Sequence, residues 1–197
     1  MTQFDPIPSR SVLMVSALAF SLLASGCVPL IVAGAAGTAL VATDRRSTGV
    51  QVDDEAIELK ISQHENSRYG GRAHISATSY NGIVLLTGEA PDQAAKNEIG
   101  EYARTTERVR AVQNEIVVAP PSPLGSRSND TYITSVVKTR FLEAKDVFSA
   151  THVKVVTDRR VVYLMGIVKR SEADAAARIA ATTSGVERVV KVFEYQD

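Results

Sequence analysis

The sequence has no tryptophan and a single cysteine, Cys27, in 197 residues. One cysteine excludes an intramolecular disulfide framework and any structural zinc site built on several thiolates. There is no surplus charge either, since 22 Lys+Arg stand against 22 Asp+Glu. A general nucleic-acid binder needs clustered basic side chains to displace counterions from phosphates, so no nucleic-acid partner is expected. With 45% hydrophobic and 22% charged residues, global disorder is not expected, and the length suits one or two small domains.

Charge is missing most sharply near the start. No Asp, Glu, Lys, Arg or His occurs in residues 11–43. The first part of this run, Val12–Leu23, has the length and apolarity of a signal-peptide hydrophobic region. Its basic flank is thin, because Arg10 is opposed by Asp5, and this leaves the start codon open. Leu23-Ala24-Ser25-Gly26-Cys27 follows and resembles the lipobox of bacterial lipoproteins, with Ala24 where Leu is usual. That resemblance implies cleavage after Gly26 and acylation of Cys27, and two or more chains are enough for stable anchoring. Val28 stands next, not the Asp that holds lipoproteins at the inner membrane. By the same resemblance the anchor lies in the outer membrane and the body on its periplasmic face. The competing reading is a transmembrane helix over residues 11–42. That run exceeds the roughly 20 residues a span needs, and Pro29 and Gly34-Ala-Ala-Gly37 interrupt it.

Beyond this region the chain repeats itself. Ala73–Gly88 aligns without a gap on Thr151–Gly166, Thr105–Val109 on Thr182–Val186, and Ile57 and Ile61 on Ile133 and Val137. The unit of roughly 70 residues is too long for a short-repeat solenoid. The expected layout is a signal peptide at 1–26, a lipidated Gly/Ala-rich tether at 27–50, a first domain at 51–119, a Pro/Ser-rich linker at 120–128 and a second domain at 129–197.

Each copy reads as α-β-β-α-β. Apolar residues four apart (Ile57 and Ile61; Ile133, Val137 and Phe141) predict a first helix, placed at Thr131–Lys145 in the second copy. Asn81-Gly82 predicts a hairpin turn, and Arg159-Arg160 in its place predicts a different geometry. The second strand, Val161–Met165, is almost continuously apolar and so is expected to be covered, ending at Gly88 or Gly166. A second helix is expected at Asp92–Arg104 and Ser171–Thr182, with Ser171 as its cap and an alanine inner face at Ala173, Ala176, Ala177 and Ala180. The last strand, Val112–Val118 or Val189–Tyr195, then joins by a right-handed parallel crossover. The fold class is α+β: two tandem domains, each a three-stranded mixed sheet with two helices on one face.

These residues resemble the BON domain, a bacterial periplasmic and outer-membrane unit. The strand ending in Gly166, the alanine-rich helix and Gly185-Val186 fit its signature, which assigns structural roles to Gly88, Gly166 and Gly185. Arg108-Val109 replaces Gly-Val in the first copy, so a divergent turn is expected there. Lipobox, tether, Thr43-Asp-Arg-Arg-Ser and two BON copies together resemble the family of dual-BON outer-membrane lipoproteins.

No catalytic constellation emerges, and neither an enzyme activity nor a cofactor or metal is expected. His74 and His152 share a repeat position, which suits architecture. Asp53-Asp54-Glu55 reads as solvated charge favouring a helix dipole. On the helix from Thr131, the side away from Ile133 and Val137 carries Ser135, Lys138, Thr139 and Leu142, with Tyr132 at its edge. An aromatic with a polar tip, a basic side chain and an uncommitted Leu suit a lipid headgroup interface, and an ordinary solvated face is the plain alternative. In the resembling lipoproteins the corresponding helix binds anionic phospholipid, commonly with Trp where Tyr132 stands. The implied function is support of envelope integrity through that contact. The other class is an adaptor for outer-membrane assembly or secretion machinery. Residues 44–120 hold 9 Lys+Arg and 12 Asp+Glu, a net of −3, and residues 121–197 hold 12 and 9, a net of +3. The basic half is the one expected to meet anionic lipid, and opposite signs favour docking of the halves.

Overall fold

In the first repeat, α1 (Thr48–Tyr69) starts where the Ser47 side chain accepts a hydrogen bond from Val50 N. It stops at Gly70, whose left-handed backbone donates to Asn66 O. Strands β1 (His74–Tyr80) and β2 (Ile83–Ala90) form an antiparallel hairpin. Helix α2 (Gln93–Thr105), capped by Asp92 on Ala95 N, leads to β3 (Ala111–Asn114) and β4 (Val117–Val118), both parallel to β2. The second repeat runs α3 (Leu124–Glu143), a 3₁₀ turn (Ala150–His152), β5 (Lys154–Asp158), β6 (Val161–Val168), α4 (Arg170–Ala181) and β7 (Arg188–Tyr195). β5 is antiparallel and β7 parallel to β6. This computed structural model describes residues 44–197, so the signal peptide, the acylation of Cys27 and the tether up to residue 43 lie outside the described residues.

The α-β-β-α-β order and the parallel crossover stand as expected, while several local expectations need correction. α3 begins at Leu124, inside the Pro/Ser-rich stretch and seven residues before Thr131. α4 is capped at Lys169, whose backbone N–H donates to the Glu172 carboxylate, so Ser171 lies within the first turn. β2 and β6 do not end at Gly88 and Gly166 but run on to Ala90 and Val168. The glycines instead mark a close approach, because a Cβ at either would overlap the carbonyl oxygen of His74 or His152. The expected strand Val112–Val118 breaks between Asn114 and Val117. Asn114 Oδ1 accepts from Ile116 N there, and Ile116 drops fully buried into the core.

Both hairpin turns share one geometry, contrary to expectation. Asn81 and Gly82 have φ of 53° and 74°, and Arg159 and Arg160 have 48° and 63°. Two consecutive positive φ values make a type I′ turn, which arginine adopts only against its preference. The second copy holds it with Asp130, whose two carboxylate oxygens accept the backbone N–H groups of Arg159 and Arg160, each at 2.9 Å. Asp54 does the same for Asn81 and Gly82 at 2.8 and 2.9 Å. Asp54 is therefore no helix-dipole charge at the first turn, as expected from sequence, but a buried clamp. The divergent turn expected at Arg108 is absent as well: Arg108 takes φ 70° where Gly185 has 89°, and Val109 N donates to Thr106 O as Val186 N does to Thr183 O.

Each repeat packs its helices on one sheet face. Ile57, Ile61, Ile99 and Ala103 cover Val84, Leu86 and Ala90, and Ile133, Val137, Phe141 and the alanines of α4 cover Val155, Val162, Leu164 and Val168. Strand alternation points the other residues of β2 and β6 the opposite way, and these meet. Tyr80 and Leu85 pack on Tyr163 and Met165, all buried, with Val156, Ile167, Val190 and Val192 around them. The layers run helices, sheet, sheet, helices. Each fully buried side chain of this size contributes about 1.5–3 kcal/mol. Cross-sheet pairs ring the interface: Lys154–Glu58 and Arg110–Glu194 at 2.9 Å, Arg159–Glu89 at 3.7 Å and Arg188–Glu115 at 3.8 Å. Three of these four join an acid of the first repeat to a base of the second, in keeping with the charge split.

Candidate functional site

The outward side of α3 carries the candidate lipid-facing residues. Tyr132 and Leu142 are 67% and 64% exposed, and Ser135, Lys138 and Thr139 are exposed beside them. The hydroxyls are already spent on the helix, because Ser135 Oγ donates to Thr131 O and Thr139 Oγ1 to Ser135 O, both at 3.0 Å. The outward chemistry is thus one phenol, one ammonium and one isobutyl group. Val147, exposed in the loop after α3, adds a further apolar group. It went unremarked in the sequence because nothing in a loop gives periodicity.

The glycines serve the frame. Gly88 and Gly166 seat β2 and β6 against the carbonyls of His74 and His152. Gly185 has φ 89° and lies against Ile133, where an added Cβ would meet its side chain at 3.2 Å. His64 stacks on Tyr102 at 3.7 Å between ring centres and pairs with Glu98 at 2.7 Å.

Sequence reasoning missed two groups of residues. The first is the clamp. Burial pushes the Asp54 carboxyl up, but hydrogen bonds from Ser79, Gly82, Asn81 and Arg46 outweigh it and hold its pKa below the ordinary value. The only signal was position, since Asp54 and Asp130 lie 76 residues apart, as Ile57 and Ile133 do. The second is a polar stripe along α3, beginning at Arg127, which looks across at the first repeat. It surrounds a cleft of about 420 Å³ lined by His74, Ser76, Arg127, Ser135, Lys138 and Asp158, among others. Among the described residues there is no group of three His, Cys, Asp or Glu side chains that could hold a metal ion. Nor is any helix among them long and apolar enough to cross a membrane.

Comparison with known proteins places this architecture. The BON domain family matches residues 53–120 and 129–197. The outer membrane lipoprotein DolP of Haemophilus influenzae is 38% identical over 183 residues, spanning 91% of this chain and 94% of that protein. A 21 kDa hemolysin of Actinobacillus pleuropneumoniae is 37% identical over 77% of this chain and 79% of its own length. The osmotically-inducible protein Y of Escherichia coli is 31% identical, with 76% of each chain covered. Two matched repeats and near-complete coverage of both chains lead to one assignment: this chain belongs to the DolP family of outer membrane lipoproteins, built from two BON domains.

Proposed function

We propose that the protein is held at the periplasmic face of the outer membrane by lipid on Cys27, and that it supports envelope integrity by docking α3 on anionic phospholipid, without enzymatic chemistry. The observation that carries the reading is the outward face of α3, where Tyr132 and Leu142 stand exposed on either side of Lys138. Such a face inserts a phenol and an aliphatic group at headgroup depth while the ammonium meets lipid phosphate. The Cys27 anchor raises the local concentration of this second contact, so a weak intrinsic affinity is enough to respond to lipid composition.

Vesicle flotation of the 44–197 polypeptide tests the site. Wild type should float with vesicles containing phosphatidylglycerol and not with purely zwitterionic ones, and Lys138→Glu with Leu142→Glu should abolish flotation. Unchanged flotation by that double variant would remove α3 from the function. The adaptor reading is narrowed by the fold. The two open sheet faces bury each other, which leaves strand edges and helices, not sheet faces, for a protein partner.

A further inference from the structure

The last strand of each repeat treats its outer edge differently. In the first repeat the strand stops after Asn114, whose side chain donates to Lys96 O and accepts from Ile116 N, and Ile116 turns into the core. A break of this kind blunts an edge. In the second repeat β7 runs unbroken for eight residues and pairs with β6 along its whole length. The two other edge strands are protected or short. Ser79 N of β1 donates to Glu58 and Ser79 O accepts from Lys154, and β5 has only five residues. Among the described residues, no hydrogen bond reaches the outer edge of β7.

The ladder decides which groups stand on that edge. Gln196 N donates to Val168 O, so the even-numbered residues of β7 bond β6, and the N–H and C=O groups of Val189, Lys191, Phe193 and Tyr195 point outward. Such an open row is a template for another strand. Its side chains alternate between two apolar surroundings. Val189 and Phe193 lie against the helix-side core, and Val190 and Val192 lie at the sheet–sheet seam. None of the eight residues is buried, so apolar surface remains for a strand laid alongside to cover.

Charge and shape along the strand indicate its occupant. We propose that β7 pairs antiparallel with β7 of a second copy of this chain, about a two-fold axis at Lys191. In that register Val189 faces Phe193, Val190 faces Val192 and Arg188 faces Glu194, each pair occurring twice. Apolar and opposite-charge pairs of this kind favour strand pairing. Sliding one copy by two residues sets Glu194 against Val190, or Arg188 against Val192, and loses the complementarity. Both end charges are accessible. Arg188 is 62% exposed and 3.8 Å from Glu115, and Glu194 meets Asn81 and Arg110 through Oε2 alone. Lys191 faces its own copy, and Asp174 at 3.1 Å offsets the repulsion in each chain. A strand pair about 27 Å long is small beside the interfaces of stable complexes, so the dimer is weak in free solution. Edge pairing continues the sheet and keeps the helix layers of both copies on one side. Both α3 faces then look the same way, so confinement of two copies to one bilayer favours the pairing. The pairing itself does not depend on the lipid reading of α3.

Disulfide cross-linking of the full chain in intact cells, oxidised with copper phenanthroline, tests this. Lys191→Cys should give a product of twice the chain mass, because directly opposed residues have Cα atoms about 5.5 Å apart, within disulfide reach. Yields are read above that of wild type, which has only Cys27. Glu55→Cys, on the exposed side of α1, should give no such product. Adding Arg188→Glu or Glu194→Arg to Lys191→Cys makes two facing pairs like-charged and should lower the yield by about tenfold. Co-expressing these two charge variants should restore it, since each then presents the charge that the other needs. A Lys191→Cys yield no higher than that of Glu55→Cys overturns the proposal, as does a yield that neither charge variant moves. A product of any other mass puts a different protein on the edge and overturns it too. Should the charge variants fold poorly, the comparison of Lys191→Cys with Glu55→Cys still decides.

Discussion

Asp54 and Asp130 occupy the same place in the two repeats, each reaching from the first helix of its domain to accept two successive backbone N–H groups of its hairpin. The clamp works against different local preferences. Asn81-Gly82 favours its turn unaided, whereas Arg159-Arg160 opposes it. Asp130→Ala should therefore destabilise the protein by about 3 kcal/mol, since two buried charge-assisted bonds are lost. Replacing Arg159-Arg160 by Asn-Gly should recover part of that loss. Urea denaturation of wild type and the two variants measures both effects. Equal stability of Asp130→Ala and wild type would show that the turn holds itself.

Asp54 also links stability to acid. Its folded pKa lies below that of an ordinary aspartate, so its contribution is complete above the unfolded pKa and is lost as pH falls through the folded one. Wild type should lose more stability than Asp54→Asn between pH 5 and pH 2. Thermal melts across that window should show the two curves converging at the acid end.

At the sheet–sheet seam the link runs the other way. Burial, aided by Asp44, pushes Tyr80 up to about 12. Burial, aided by Glu115, does the same for Tyr163. A raised tyrosine pKa stabilises the fold fully below the unfolded value near 10 and loses that contribution as pH rises toward 12. Tyr163→Phe and Tyr80→Phe should flatten the alkaline arm of the stability profile. Ultraviolet titration should show three phenols, these two and Tyr69, ionising only after the exposed ones.

Arg45 ties the segment before α1 to the second repeat. Its guanidinium grips both oxygens of Glu172 at 2.8 and 2.9 Å and donates to Ile167 O at 2.7 Å. Arg45→Ala should cost about 1–3 kcal/mol at neutral pH, as for a bidentate, largely buried pair. The hydrogen bond from Arg45 is the main cause that holds the Glu172 pKa below the ordinary glutamate value. The pair's contribution is therefore present above that value and lost as pH falls through the folded one. The difference between wild type and Arg45→Ala should shrink at pH 3, measured by thermal melting.

Much of this fold was legible because it rests on periodicity. Ile57 and Ile61, Ile133 and Val137, and the alanines of α4 announce their faces by spacing, and the offset between repeats carries one reading onto the other. The continuous apolarity of Val161–Met165 already meant cover on both sides, yet it did not say that the second cover is the partner sheet. What stayed hidden depends on single polar atoms. The start of α3 at Leu124 runs through Gly125 and Ser126, which read as loop, and the Arg159-Arg160 turn looked unfit until Asp130 was seen to pay for it. At the candidate site the exposure of Tyr132 and Leu142 followed from helix geometry. The cleft beside them needed the first repeat in place, and no pattern within α3 foretells that.

Stacking the sheets has a directional result. With the open faces turned inward, the helix layers look in opposite directions, α1 and α2 to one side and α3 and α4 to the other. A molecule resting on a bilayer through α3 therefore turns α1 outward to the aqueous compartment. There Val52 and Leu59 are 59% and 58% exposed. Docking of that kind and any contact on the far side would not compete for the same surface, so the duplication would give a small lipoprotein two independent poles.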